Sequence, residues 1–335
     1  MTRLELINYL GEKYGIKQRE LIEKDYLLQS LIKGLSQDEF FQKNFIFKGG
    51  TCLIKSYLGY YRFSEDLDFT WKKQEAWKNK SRKHLRKLIS EEISKILDLL
   101  CKLSPALGLE FKPDKRNPRY AQFGAGNIFT TFKLWYKSVL SEREEFIKLQ
   151  INFVERIRYE PKECLIRSLI DDEDTQEISF LFPEEGEVFS SKVRMLSYDL
   201  REILIEKVRA IITRQGIKTR DFFDVYFITK FLETGISNYE KEIMEKILFM
   251  MGYEKYQGNL LKKQGLFLSF KLSEDNVLLK PPGQEFDRFL KDFYPFLNQI
   301  ISKIIKIRRR RIFRMPETDS DPKVGVFVSV HKKEQ

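Results

Sequence analysis

The sequence predicts an α+β protein: a β-sheet with flanking helices over residues 1–195, a mainly helical domain over 196–314, and a tail over 315–335. Three observations carry this. Runs in which polar and apolar residues alternate, the period of a strand with one buried face, fall in the first part of the chain. From about residue 197 onward the apolar residues recur at the helical spacing of about 3.6. Between them, residues 45–71 read in succession as strand, glycine turn, helix, loop and strand. A chain of 335 residues with 42% apolar content is long enough for about two domains with substantial cores.

The elements follow in order. Residues 3–35 read as helical, with Gly11, Gly15 and Gly34 as punctuation. Phe45-Ile46-Phe47 is a short apolar strand that stops at Lys48-Gly49-Gly50-Thr51, and Thr51 opens a helix closed by Gly59. The run Asp66-Leu67-Asp68-Phe69-Thr70-Trp71 has period two, so Asp66 and Asp68 share one face and Leu67 and Phe69 the other. Residues 75–103 form a long, charged helix. Residues 129–136 and 146–153 alternate around a polar loop at 142–145 and predict a hairpin extending the sheet. An acidic loop with Asp171, Asp172, Glu173 and Asp174, continued at 183–187, separates these strands from helices at 200–214, 220–232, 239–250 and 285–307. The last helix runs into a cluster of arginines at 308–311 and 314, a candidate contact for an RNA backbone.

Composition excludes several chemistries. Cys52, Cys101 and Cys164 have neither metal-ligand spacing nor the even number of a disulfide framework, and His84 and His331 are the only histidines. Zinc sites of the Cys/His type and histidine-based triads are therefore disfavoured. The N-terminus is charged and amphipathic, unlike a secretory leader, and no apolar run reaches the roughly 18 residues of a membrane span. The expectation is a cytoplasmic protein without a membrane partner. Its formal net charge of +11 favours a polyanion, nucleic acid first.

The segment 48–69 carries the chemistry. Two carboxylates two residues apart on one strand repel each other unless a counter-charge lies between them, and Mg²⁺, a hard cation that prefers oxygen ligands, supplies it. Gly49 and Gly50 let the backbone approach a ligand closely, and the free N–H groups opening the next helix suit phosphate. Thr51 can cap that helix or add a hydroxyl to the phosphate site. A triphosphate cradle facing an acidic metal pair is the apparatus of phosphoryl or nucleotidyl transfer.

A glycine-glycine-hydroxyl turn followed by Asp-x-Asp resembles the signature of the DNA polymerase β-like nucleotidyltransferase superfamily. The fuller form, Phe47-Lys48-Gly49-Gly50-Thr51 and then Arg62-Phe63-Ser64-Glu65-Asp66-Leu67-Asp68-Phe69, is similar to the AbiEii/AbiGii toxin family. Glu206-Lys207-Val208-Arg209-Ala210, Arg214, and Arg220-Asp221-Phe222-Phe223-Asp224-Val225-Tyr226 agree with that narrower match, and Glu23-Lys24-Asp25-Tyr26 resembles the family's opening helix. The resemblance implies a polymerase β-like mixed sheet and a prokaryotic toxin of toxin–antitoxin and phage-abortive-infection (antiviral defence) systems. It implies Mg²⁺ held by Asp66 and Asp68, and an NTP held by Lys48, Gly49, Gly50, Thr51, Lys207, Arg214 and Asp224. It gives Lys207 and Asp221 catalytic roles, makes tRNA 3′ ends or other RNA the expected acceptor and an antitoxin a possible partner, and keeps transfer to a protein hydroxyl, or binding without catalysis, as alternatives. One departure stands out. Where relatives carry a third carboxylate on the neighbouring strand, this chain has Gln150, with Lys148 two residues before it.

Overall fold

The computed structural model describes residues 2–272, 278–279 and 283–312. The chain divides into two compact units: Met1–Gln74, Lys83–Ile203 and Asn276–Pro281 form one; Glu75–Arg82, Leu204–Asp275 and Pro282–Gln335 form the other.

The first unit begins with α1 (Arg3–Lys13) and α2 (Arg19–Ser36). Thr2 and Glu5 close a capping box at the start of α1. Of the three glycines read as punctuation, Gly15 alone breaks the helical run, at φ 64°. Gly11 and Gly34 lie inside α1 and α2, where close packing rather than chain reversal uses their missing side chains. Next come α3 (Glu39–Asn44), β1 (Phe45–Lys48), α4 (Gly49–Leu53) with a further helical turn at Ile54–Leu58, β2 (Asp66–Trp71) and α5 (Arg82–Leu103). The helix expected from residue 75 thus starts at Arg82, after a separate short turn at Gln74–Trp77. The sheet continues with β3 (Ala121–Gly124), β4 (Phe129–Lys137), β5 (Glu144–Asn152), β6 (Lys162–Ile166) and β7 (Val193–Ser197). The acidic stretch before β7 is not plain loop: it holds α6 (Thr175–Leu181) and α7 (Gly186–Ser190).

The strands form one mixed sheet in the order β3-β4-β5-β2-β1-β7-β6. β1 is antiparallel to β2, while β2–β5 and β1–β7 are parallel. Alternation sends Phe47, Leu67, Phe69, Leu149 and Ile151 into the core at 0–1% exposure, which leaves Asp66, Asp68, Lys148 and Gln150 on the opposite face. Aromatic rings bind this core: Phe41 and Phe69 meet edge to face at 4.8 Å, and Phe47 stacks on Phe69 at 5.1 Å. Such pairs add about 0.5–1.5 kcal/mol each beyond area burial.

The second unit is helical: α8 (Leu200–Thr213, which starts in the first unit), α9 (Thr219–Phe231), α10 (Glu240–Met250), α11 (Glu254–Lys262) and α12 (Gln284–Ile312). Its core is an aromatic cluster in which Phe222 packs against Phe267, Phe270, Phe293 and Tyr294. Arg308 donates to Gln257 at 2.6 Å. Arg309 is exposed, and the side chains of Arg310, Arg311 and Arg314, His331 and the tail lie outside the described residues. Among the described residues no helix is long and apolar enough to cross a membrane.

Candidate active site

The site in the first unit is built where β1 turns into α4. Gly49 sits at φ 79°, a region costly for any residue with a Cβ. A Cβ there would stand 2.2 Å from the Asp68 carboxylate, so the missing side chain is what lets that carboxylate lie against the turn. A Cβ on Gly50 would stand 2.8 Å from the Arg62 guanidinium, itself 1% exposed and donating to the Phe63 carbonyl at 2.7 Å. The sequence points to Thr51 as a helix cap; the helix starts two residues earlier, with Lys48 at the cap position. Thr51 is buried instead, and its hydroxyl donates to the Asp66 carbonyl and to Ser64, tying the turn to the entry of β2.

Strand register sets the acids in order. Asp66 is paired with Lys148 and Asp68 with Gln150 across the parallel β2–β5 ladder. The Lys148 ammonium lies 3.7 Å from Asp66, and the Gln150 amide donates to Thr131 at 3.2 Å. On the other flank Lys48 pairs with Asp68 in register, but its ammonium reaches Glu155 at 3.2 Å and lies 5.4 Å from the Tyr198 ring. Glu155, 4% exposed and also bonded by Asn152 at 2.7 Å, escapes a reading of the sequence, because it follows the strand in irregular chain where no periodicity marks it. Asp66, Asp68 and the carbonyl oxygen of Gln150 are hard oxygen donors from neighbouring strands, a set that fits Mg²⁺. Among the described residues no group of three or more His, Cys, Asp or Glu forms a metal cluster.

The segment Glu23-Lys24-Asp25 of α2 braces this frame. Glu23 accepts from Ser138 at 2.6 Å and from the Val139 N–H at 2.7 Å, holding the β4–β5 turn. Lys24 pairs with Glu65, next to Asp66, at 2.9 Å. Asp25 pairs with Lys55 at 2.9 Å just beyond α4, and both side chains are buried. Burial pushes the Lys55 ammonium's pKa down despite Asp25.

The other predicted residues lie in the second unit and form a tight ionic group of their own. Lys207 on α8 meets Asp221 at 3.0 Å and Asp224 at 2.5 Å, both on α9, and Arg214 meets Asp221 at 2.6 Å. The spacing of three between the acids puts both on the face of α9 that Lys207 meets. Burial alone would raise Asp221; the Lys207 and Arg214 cations outweigh it and hold the carboxyl below the usual carboxylate value. Close by, Lys263 donates to the carbonyls of Ile211 and Gly216 across the α8–α9 turn. Burial, with Arg214 adding to it, pulls its pKa down to about 8.

A family model for the nucleotidyl transferase AbiEii toxin of type IV toxin–antitoxin systems matches residues 31–310. A comparison with curated proteins finds no match. Among solved structures, JHP933 from Helicobacter pylori is similar at 17% identity, with 88% of this chain and 95% of that one covered and a TM-score of 0.39. A second H. pylori structure, described as that of a candidate nucleotidyltransferase, is similar at 17% identity, 87% and 97% coverage and a TM-score of 0.38. With the family's motifs seated on a mixed sheet and the match running over most of its length, the chain belongs to the AbiEii family of nucleotidyltransferase toxins.

Proposed function

We propose that this nucleotidyltransferase is a Mg²⁺-dependent toxin, acting in the cytoplasm, that transfers NMP from an NTP to the 3′ end of RNA, tRNA first. The observation that carries the reading is the Asp68 carboxylate lying against Gly49, with Asp66 beside it on the same polar face. Asp66 and Asp68 hold the metal, with the Gln150 carbonyl as a neutral neighbour. The metal supplies charge neutralisation for the carboxylates and the triphosphate. Lys48, Gly49, Gly50 and Thr51 frame the phosphate side of the site. The second unit offers Lys207 and Arg214 as phosphate-binding cations of its own, with Asp221 and Asp224 fixing the Lys207 ammonium in place. In the reaction a terminal hydroxyl oxygen forms a bond to the α-phosphorus, the α–β phosphoanhydride bond breaks, pyrophosphate leaves and the hydroxyl proton passes to water. A net charge of +11 supports a polyanionic acceptor, and a toxin of this class has a cognate antitoxin as its natural partner.

The test is incubation of the purified protein with Mg²⁺, each α-labelled NTP in turn and total tRNA. Label in RNA that disappears in Asp68→Asn is the expected result. Label confined to protein would move the acceptor to a protein hydroxyl. No label with any NTP would leave nucleotide binding without transfer and refute the proposal.

A further inference from the structure

The polar face of the first unit's sheet is laid out in two rows. One runs in register across β2, β5 and β4 as Asp66, Lys148 and Lys133. The next runs Asp68, Gln150 and Thr131, and is extended on β3 by Gln122. With neighbouring strands about 4.8 Å apart, the lysine row reaches roughly 10 Å outward from Asp66.

That first row is costly to the fold. Lysines directly opposite each other on adjacent strands destabilise a sheet. Both ammoniums share one ring, that of Phe146, at 5.2 and 5.6 Å, and these cation–π contacts offset only part of the repulsion. Lys148 has Asp66 at 3.7 Å, whereas Lys133 makes no ion pair among the described residues. All four outer residues, Lys148, Lys133, Gln150 and Thr131, are partly open to solvent, and Gln122 is exposed. The pattern suits a ligand that brings negative charge to one row and hydrogen-bonding edges to the other.

Strand order says which ligand. β1, with the Gly49–Gly50 turn, flanks β2 on one side; β5 and β4, with the lysines, flank it on the other. The two carboxylates therefore stand between the phosphate turn and the lysine row. An in-line displacement needs the leaving pyrophosphate and the attacking hydroxyl on opposite sides of the α-phosphorus. Resting on the reading of this protein as a transferase to RNA, we infer that the strip formed by β5, β4 and β3 binds the single-stranded 3′ end of the acceptor RNA. Successive phosphates lie on Lys148 and Lys133, and sugar hydroxyls and base edges meet Gln150, Thr131 and Gln122. A protein acceptor fits this strip less well, since it lacks the repeated negative charge that the lysine row matches.

Lys133→Gln in the full chain is the decisive variant, with Lys95→Gln on α5, an exposed lysine paired with Glu92, as the control for lost charge. The probe is a fluorescent single-stranded oligoribonucleotide of about ten nucleotides. For Lys133→Gln we expect affinity to fall about three- to tenfold and the slope of log K against log salt to shrink by about 0.7. In the transfer assay KM for RNA rises by the same factor, KM for NTP and kcat stay, and Lys133→Arg restores binding. Unchanged RNA affinity in Lys133→Gln, or a rise in KM for NTP alone, overturns the inference. A parent protein that labels no RNA would sink the underlying reading instead, and the binding measurement would still judge the strip.

Discussion

Replacing Gly49 by alanine tests how the Asp68 carboxylate is held. The added methyl meets two penalties. The first is backbone strain at φ 79°, worth about 1–2 kcal/mol for a residue with a Cβ. The second is the contact: 2.2 Å to the Asp68 oxygen against an ordinary 3.4 Å, so the carboxylate must withdraw by more than an ångström. Gly15→Ala separates the two, because Gly15 has φ 64° and nothing within 4 Å of the place its methyl would occupy. We expect Gly15→Ala to lower the urea unfolding free energy by about 1 kcal/mol and leave transfer untouched. Gly49→Ala should cost more in stability and reduce labelling of RNA by about a hundredfold, the usual consequence of a group displaced by about 1 Å. Equal transfer by the two variants would refute the argument that the turn positions Asp68.

Three further outcomes are expected. Lys207→Met, which removes a cation from two buried carboxylates, should destabilise the protein by about 3–5 kcal/mol, and adding Asp224→Asn should recover part of that without restoring transfer; a loss under about 1 kcal/mol by urea unfolding would contradict the ion network. Lys263 titrates near 8 in the fold against 10.5 unfolded, so between those values the unfolded chain binds more protons and stability climbs with pH. That climb should vanish in Lys263→Met, as judged by urea midpoints on either side of pH 8. Gln150→Glu places a third carboxylate beside Asp68 and should lower the Mg²⁺ concentration for half-maximal transfer several-fold; an unchanged Mg²⁺ requirement would show that position 150 faces no metal.

The strand–turn–helix–strand unit is legible in the sequence because its signals are local: alternation in 66–71, and a glycine pair where the chain reverses. The hairpin of β4 and β5 is legible for the same reason. What periodicity cannot supply is partnership. β7 is five residues long and reaches its place beside β1 from about 145 residues away, while β6 is a charged edge strand with little apolar signature. α11 and β3 are short segments with weak patterns. Buried cations are equally hidden. Lys55, Arg62 and Lys263 read as surface residues in a basic chain, yet each is at most 2% exposed and anchors a turn. The group of Lys207, Arg214, Asp221 and Asp224 is visible as helical spacing, but its direct ion pairs emerge only once α8 and α9 are packed together.

The β2–β5 ladder joins residues 66–70 to 148–152, and this separation has a meaning in time. A chain synthesised at about 5–20 residues per second carries both aspartates for roughly 4–16 seconds before their parallel neighbour exists. During that interval β2 lacks the strand that supplies Lys148 and Gln150. Fragments released before residue 152, by stalled ribosomes or by proteolysis, therefore contain Asp66 and Asp68 without the complete strand that pairs with them. The setting of the two aspartates is thus completed only once nearly half of the chain has been made, and no earlier fragment can hold them as the finished sheet does.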